Sequence, residues 1–204
     1  MQIVSYGHKK EYTSISCYNP YLMIRESEVK PPAEQAPWKE HTTASASASV
    51  FLTDSLGRLL MVRDIDRYGG KWSPIAGFVD VQNNEEPEVA AIREAKEELG
   101  LDVILTGLLG VWHYYAEDAP KKPDETSHMH VGYAYTGEIL SGTFEMQQDE
   151  IQQWGYFSPS EIEELYKDGK LKTPQYNYKG YELWRQGLRY PRSVVQTNGT
   201  TKSV

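Results

Sequence analysis

The segment GFVDVQNNEEPEVAAIREAKEELGL, residues 77–101, gathers a glycine, a single arginine and a crowd of carboxylates. Glu94, Glu97 and Glu98 stand at i, i+3 and i+4, so a helix makes their side chains neighbours. Like charges at that spacing oppose helix formation by about a few tenths of a kcal/mol per pair. One account is a solvated acidic face, since glutamate is a common surface residue with good helix propensity. The other is that cations belong among the acids. Arg93, one step from Glu94 and four from Glu97, is a natural ion-pair partner. Gly77 lacks a Cβ and can bring its backbone close to a ligand. Hard divalent cations such as Mg²⁺ take oxygen ligands, commonly a few carboxylates with substrate phosphates and water. Three clustered glutamates near a backbone carbonyl supply that set.

The element that must position them is a helix. The spacing predicts Glu86 to Leu99, with Pro87 in the first turn and Gly100 just past the end. At about 100° per residue, Val89, Ile92 and Leu99 fall on one side with Ala95 at its margin, and the three acids fall on the other. The expected packing face is therefore the one carrying Val89, Ile92 and Leu99.

Read together, Gly77, Glu85, Arg93, Glu94, Glu97, Glu98, Gly100 and Leu101 resemble the Nudix box, G-x5-E-x7-R-E-U-x-E-E-x-G-U, where U is a bulky apolar residue. From Glu85 onward the register matches. The gap from Gly77 to Glu85 is two residues longer, through VQNN, and Ala95 is smaller than the usual apolar residue. The resemblance implies an α/β fold, an α/β/α sandwich around a mixed β-sheet. It implies hydrolysis of a nucleoside diphosphate linked to another group, with Mg²⁺ or Mn²⁺ required. It further implies that Glu94, Glu97 and Glu98 are metal ligands, completed by the Gly77 carbonyl, and that Glu85 pairs with Arg93. Arg93, Glu94 and Glu98 are carried as catalytic residues, and the general base stays open between a box glutamate, Glu94 being one candidate, and Glu145, Asp149 or Glu150 of a later loop.

Contacts to substrate are read from residue type alone. Arg63 and Arg67 can meet phosphates, and Trp72, Trp112 or Tyr114 can stack on a base, although a buried aromatic is the plainer role. His128 and His130 alternate with Met129 and so share one face of a strand. Two histidines do not define a metal site, and His128 is retained as a substrate contact. The polar stretch from Ala116 to Ser127 is long for a hairpin connection, and its Lys121 and Lys122 can close over an anion.

Around the box, ASASVFLT and RLLMVRD flank Asp54-Ser55-Leu56-Gly57 and read as a β-hairpin. WSPIAGFV reads as one extended piece, and VILTGLLGVWHYY, HMHVGYAYTGEI and IQQWGYF as strands. Ser158-Pro159-Ser160-Glu161 is a capping box opening a helix through about Tyr166. A last helix is expected around Tyr181 to Leu188. The organisation expected is an N-terminal extension over 1–40, serving as an extra hairpin or a homodimer contact, a domain over 41–190, and a flexible tail over 191–204.

The chain has 204 residues, 39% hydrophobic and 25% charged, the balance of a globular protein. A formal net charge of −8 argues against nonspecific binding to nucleic acid, which needs a surplus of Lys and Arg. No run approaches the ~20 apolar residues of a membrane span. The single cysteine, Cys17, suits a reducing compartment, and a cytoplasmic location is expected. Two other readings compete. A binding or regulatory module that has lost turnover draws on the VQNN insertion. An isopentenyl-diphosphate isomerase-like enzyme would need a cysteine near Ala76, and none is there.

Overall fold

The computed structural model describes residues 44–66, 69–115, 129–172 and 174–196. Their order is β1 (Ala44–Leu52), β2 (Leu59–Asp64), β3 (Trp72–Ser73), β4 (Ile75–Phe78), α1 (Pro87–Leu99), β5 (Leu101–Tyr115), β6 (Met129–Gly142), β7 (Ile151–Phe157), α2 (Pro159–Lys167) and α3 (Pro174–Arg185). The segment over 1–40, with Cys17, lies outside the described residues, as do Arg67, Lys121, Lys122, His128 and residues 197–204 of the expected tail.

Among the described residues two sheets form, one with strand order β4-β1-β6-β5 and one with order β3-β2-β7. The first is mixed, because β1 runs parallel to β6 while β1–β4 and β5–β6 are antiparallel. Alternation along the central strands decides the layering. Ala48, Val50 and Leu52 of β1 and Leu60 and Val62 of β2 pack with Ala90, Ala91, Ala95 and Leu99 of α1. The intervening Phe51, Leu59 and Met61 pack with Ile162 of α2 and Tyr181 and Trp184 of α3. Side chains alternate across a strand, so α1 covers one face of the strands and α2 with α3 the other. The expected α/β/α sandwich is present, with its strands divided between two sheets.

That division corrects the expected hairpin. The turn itself forms, with the Leu56 and Arg58 amides donating to Asp54 Oδ1 at 2.9 and 2.8 Å and Gly57 at a φ of 76°. Beyond it β1 and β2 share only the isolated bridge Thr53–Leu59. Each is an interior strand of its own sheet, with both neighbouring places filled by other strands. The piece WSPIAGFV is likewise two strands. Pro74 has no N–H to continue a ladder, and the chain changes sheet across it.

Helix α1 starts at Pro87 and stops at Gly100, whose φ of 72° provides the left-handed cap. Its buried face keeps Leu99 and Ala95 of the one expected but turns Val89 and Ile92 outward. Val89 and Ile92 are 52% and 38% exposed, whereas Ala90, Ala91 and Ala95 are completely buried. Small side chains let the helix approach the sheets closely, and Glu94 and Glu98 are carried into the same interface. Helix α2 has both bonds of the expected capping box: the Glu161 amide donates to Ser158 Oγ at 3.4 Å and the Ser158 amide to Glu161 Oε2 at 2.7 Å. Helix α3 begins about two turns before Tyr181, the expected start. Gly180, a poor helix former, sits inside it because a Cβ there would meet Phe51 at 2.9 Å and Trp112 at 3.0 Å. Over 191–196 the chain makes a short 3-10 turn, tied down by Arg192 Nη1 to Glu88 Oε2 at 2.9 Å. Among the described residues, no helix is long and apolar enough to cross a membrane.

Candidate active site

A cavity of about 630 Å³ opens between α1, the edge strand β4 and the second sheet. Glu94, Glu97 and Glu98 line it together with Gly77 and Arg93, so the box residues singled out by spacing share one wall.

Arg93 organises that wall. Its Nε and Nη2 donate to the two oxygens of Glu85 at 2.7 and 3.0 Å, its Nη1 to Glu94 at 2.7 Å and Glu97 at 2.8 Å, and its Nη2 also to the Phe78 carbonyl at 2.9 Å. The bidentate fork fixes orientation as well as charge. These hydrogen bonds hold the Glu85 carboxyl below its usual range and keep Arg93 charged. The VQNN insertion does not disturb the pairing. It closes as a 3-10 turn over Val81–Asn83, capped by Asp80, with Asn84 left-handed at a φ of 57°. The Asp80 amide then donates to Glu85 Oε2 at 2.8 Å. Two extra residues are absorbed locally, and the loop end returns to where Arg93 needs it.

Gly77 pairs with Ala48 and faces α1. A Cβ there would run into the Glu94 carboxylate, so glycine is what lets that carboxylate lie against the strand. Burial pushes the Glu94 carboxyl up, opposed by its bond to Arg93 and reinforced by Glu97 and Glu150. Glu98 is more extreme. It is 5% exposed, and burial, with Glu94 as a second cause, raises its pKa well above the ordinary range. The Ala76 amide donates to it, but Oε2 has no hydrogen-bond partner. A buried unpaired carboxylate oxygen is costly and marks a place built to receive a proton or a cation.

These groups fit a hard divalent ion in donor chemistry: three carboxylates and a strand without a side chain in the way. Among the described residues they do not yet ring a point at ligand distances. Arg93 occupies oxygens of Glu94 and Glu97 that an ion would use.

The remaining candidates divide. Glu150 lines the cavity and Trp112 stands on its wall, whereas Glu145 and Asp149 are not on it. Arg63 lies outside it, tied to the Gly70 carbonyl at 2.9 Å, Gln152 at 2.6 Å and Asp66 at 3.3 Å. Trp72 is also outside, edge-on to Phe157 with centroids 4.6 Å apart. His130, the strand partner considered beside His128, is 8% exposed in the wall. Its ring nitrogens lie 2.6 and 2.7 Å from the hydroxyls of Ser45 and Ser47.

Several lining residues escaped the sequence reading: Ser47, Ser49, Asp64 and Lys172. The alternating serines of ASASASV announce a polar face with a period of two, and Asp64 closes the buried series Leu60, Val62. Each was a visible signal. Nothing in LKTP distinguishes Lys172.

Comparison with known proteins agrees with this architecture. A NUDIX hydrolase from Nitrosomonas europaea is 21% identical, matching 76% of this chain and 97% of its own with a TM-score of 0.62. The MutT protein from Methanosarcina mazei Go1 is 15% identical, matching 72% and 96%, with a TM-score of 0.53. At these identities the likeness is one of fold. The NUDIX domain model matches residues 43–177, a span that takes in every described strand and the helix bearing the acids, and by that match the chain belongs to the Nudix family of hydrolases, which act on pyrophosphate bonds.

Proposed function

We propose that the chain cleaves a nucleoside diphosphate linked to a further group, such as ADP-ribose, a sugar nucleotide or a dinucleotide, by attack of water on phosphorus. The observation that carries this reading is the Glu98 oxygen, buried without a partner beside Glu94 in a cavity large enough for such a compound. Mg²⁺ or Mn²⁺ would be held by Glu94, Glu97, Glu98 and the Gly77 carbonyl. When bound, such an ion neutralises phosphate charge and lowers the pKa of water.

The chain's own residues do the rest. Arg93, anchored by Glu85 and the Phe78 carbonyl, keeps Glu94 and Glu97 oriented, and its charge offsets theirs. Glu150 is on the cavity wall and close enough to Glu94 to raise its pKa, and it is assigned as acceptor of the proton that the attacking water releases. The Glu150 carbonyl accepts from the Ile65 amide at 2.9 Å, which ties this loop to β2. A cytoplasmic site of action remains part of the proposal, resting on the lone Cys17. The binding-module reading drew on the VQNN insertion, and the retained Glu85–Arg93 pair removes that support.

The test is a panel of diphosphate compounds, with and without Mg²⁺ or Mn²⁺, with products separated by chromatography. Metal-dependent release of two phosphorylated products is expected. A Glu97→Gln, Glu98→Gln double variant should lose at least about a hundredfold in rate, and Glu150→Gln should lower kcat more than it changes KM. Folded, metal-loaded protein that binds one compound and releases nothing would overturn hydrolysis.

A further inference from the structure

Among the described residues, five carboxylates line the cavity, Asp64, Glu94, Glu97, Glu98 and Glu150, against the cations Arg93 and Lys172 and the imidazole of His130. Arg93 is spent on Glu85, Glu94, Glu97 and a backbone carbonyl. An anionic substrate entering this wall still meets Asp64 and Glu150 when a cation neutralises the box acids, and a further positive charge facing it would lower that repulsion. Lys172 is placed to do so.

Its position is built. Between α2 and α3 the chain is pinned beside β3: the Trp72 amide donates to the Lys170 carbonyl and the Lys172 amide to the Trp72 carbonyl, each at 2.8 Å. Leu171 between them is buried and bridges Trp72 in parallel register. This single parallel bridge places Lys172 on the cavity wall, where its ammonium lies 2.9 Å from Asp64 Oδ2. Asp64 is 4% exposed, at the end of β2 where the pairing with β7 is irregular. That oxygen makes no well-formed hydrogen bond, so its contact with Lys172 is electrostatic. The Lys172 side chain is 45% exposed, that of Asp64 6%. A buried acid therefore holds the ammonium of a long side chain that is itself half-exposed and lines the cavity.

We propose that Lys172 is a binding residue for the substrate's diphosphate, kept on Asp64 until the anion arrives. This rests on the pyrophosphohydrolase reading for its substrate, but its central measurement does not. A lysine ammonium suits this task as a mobile point charge.

The experiment measures inorganic pyrophosphate binding by calorimetry in the presence of Mg²⁺, for wild type, Lys172→Ala, Lys172→Arg and Asp64→Asn, with folding verified by circular dichroism. The same four proteins are assayed on whichever diphosphate compound the wild type cleaves. Lys172→Ala should weaken pyrophosphate binding and raise KM, each at least about tenfold, with a smaller change in kcat. Lys172→Arg should recover most of the binding, and Asp64→Asn should not weaken it. A purely structural ion pair would give equal losses in Lys172→Ala and Asp64→Asn and no recovery with arginine. That result, unchanged binding in Lys172→Ala, or no pyrophosphate binding by the wild type would each overturn the proposal. Lost binding in Lys172→Ala, when the wild type cleaves nothing, would uphold it and sink the hydrolysis reading instead.

Discussion

Glu98 is the residue where stability and chemistry oppose each other. Below the ordinary carboxylate pKa of about 4.3, it is protonated in folded and unfolded chains alike and adds no ionisation penalty to folding. As the pH rises, the unfolded chain gives up the proton first, because the folded-state pKa is raised. The folded state then binds more protons than the unfolded, and stability of the metal-free protein falls until the pH passes the raised value. Glu94 shifts in the same direction. Glu85, held down by Arg93, works in the opposite sense. A Glu98→Gln substitution removes the charge while keeping the shape. In chelator, the variant should melt above the wild type at about pH 7.5, with the difference shrinking toward pH 4. Hydrolysis should be lost throughout. Calorimetric melts across that range check this, and a variant that melts lower at every pH would show that Glu98 supports the fold instead.

At the scale of the element, α1 shows what periodicity conveys and what it misses. Its limits were legible because Pro87 and Gly100 punctuate it, and its acids because three identical residues at helical spacing need a reason. Its buried face was legible only in part, at Leu99 and Ala95. Large apolar side chains usually mark the inner face, but here three alanines share it with Leu99 and Val89 is left 52% exposed. The alanines decide how near the helix sits to β1 and β4, and that distance sets where Glu94 and Glu98 end up. Enlarging one of them should therefore affect both stability and turnover. Ala91→Leu is expected to cost about 1–3 kcal/mol by overpacking and to reduce kcat as the acids are displaced. Val89→Ala should change stability by less than about 0.5 kcal/mol and leave turnover intact. Urea unfolding and steady-state rates on the two variants make the comparison, and a larger loss in Val89→Ala would restore the face expected from periodicity.

Across the whole molecule, the features legible in sequence are those with a local signature: the helix caps, the capping box of α2, the extended stretch IQQWGYF and, through the box, the Glu85–Arg93 pair. The partition into two sheets was not, because β1 pairs with β6 at residues such as Ser47 and Gly132, and no local pattern names so distant a partner. Asp64 and Lys172 come together for the same long-range reason. The assembled cavity concentrates acids within a chain whose formal net charge is already −8, and this makes the protein's stability responsive to cations in two separable ways. General screening by salt weakens repulsion among exposed charges at any ionic composition. Binding at the box acids acts by mass action, contributing about 2.7 kcal/mol when the free ion is a hundred times its dissociation constant. For a domain of this size that corresponds to a rise of roughly 5–10 °C in melting temperature. Mg²⁺ at saturation should give this shift beyond NaCl of equal ionic strength, chelator should reverse it, and the Glu97→Gln, Glu98→Gln protein should show only the screening part. Equal shifts from Mg²⁺ and matched NaCl would mean that the acids answer to salt in general, and the assignment of a cation to Glu94, Glu97 and Glu98 would fail with them.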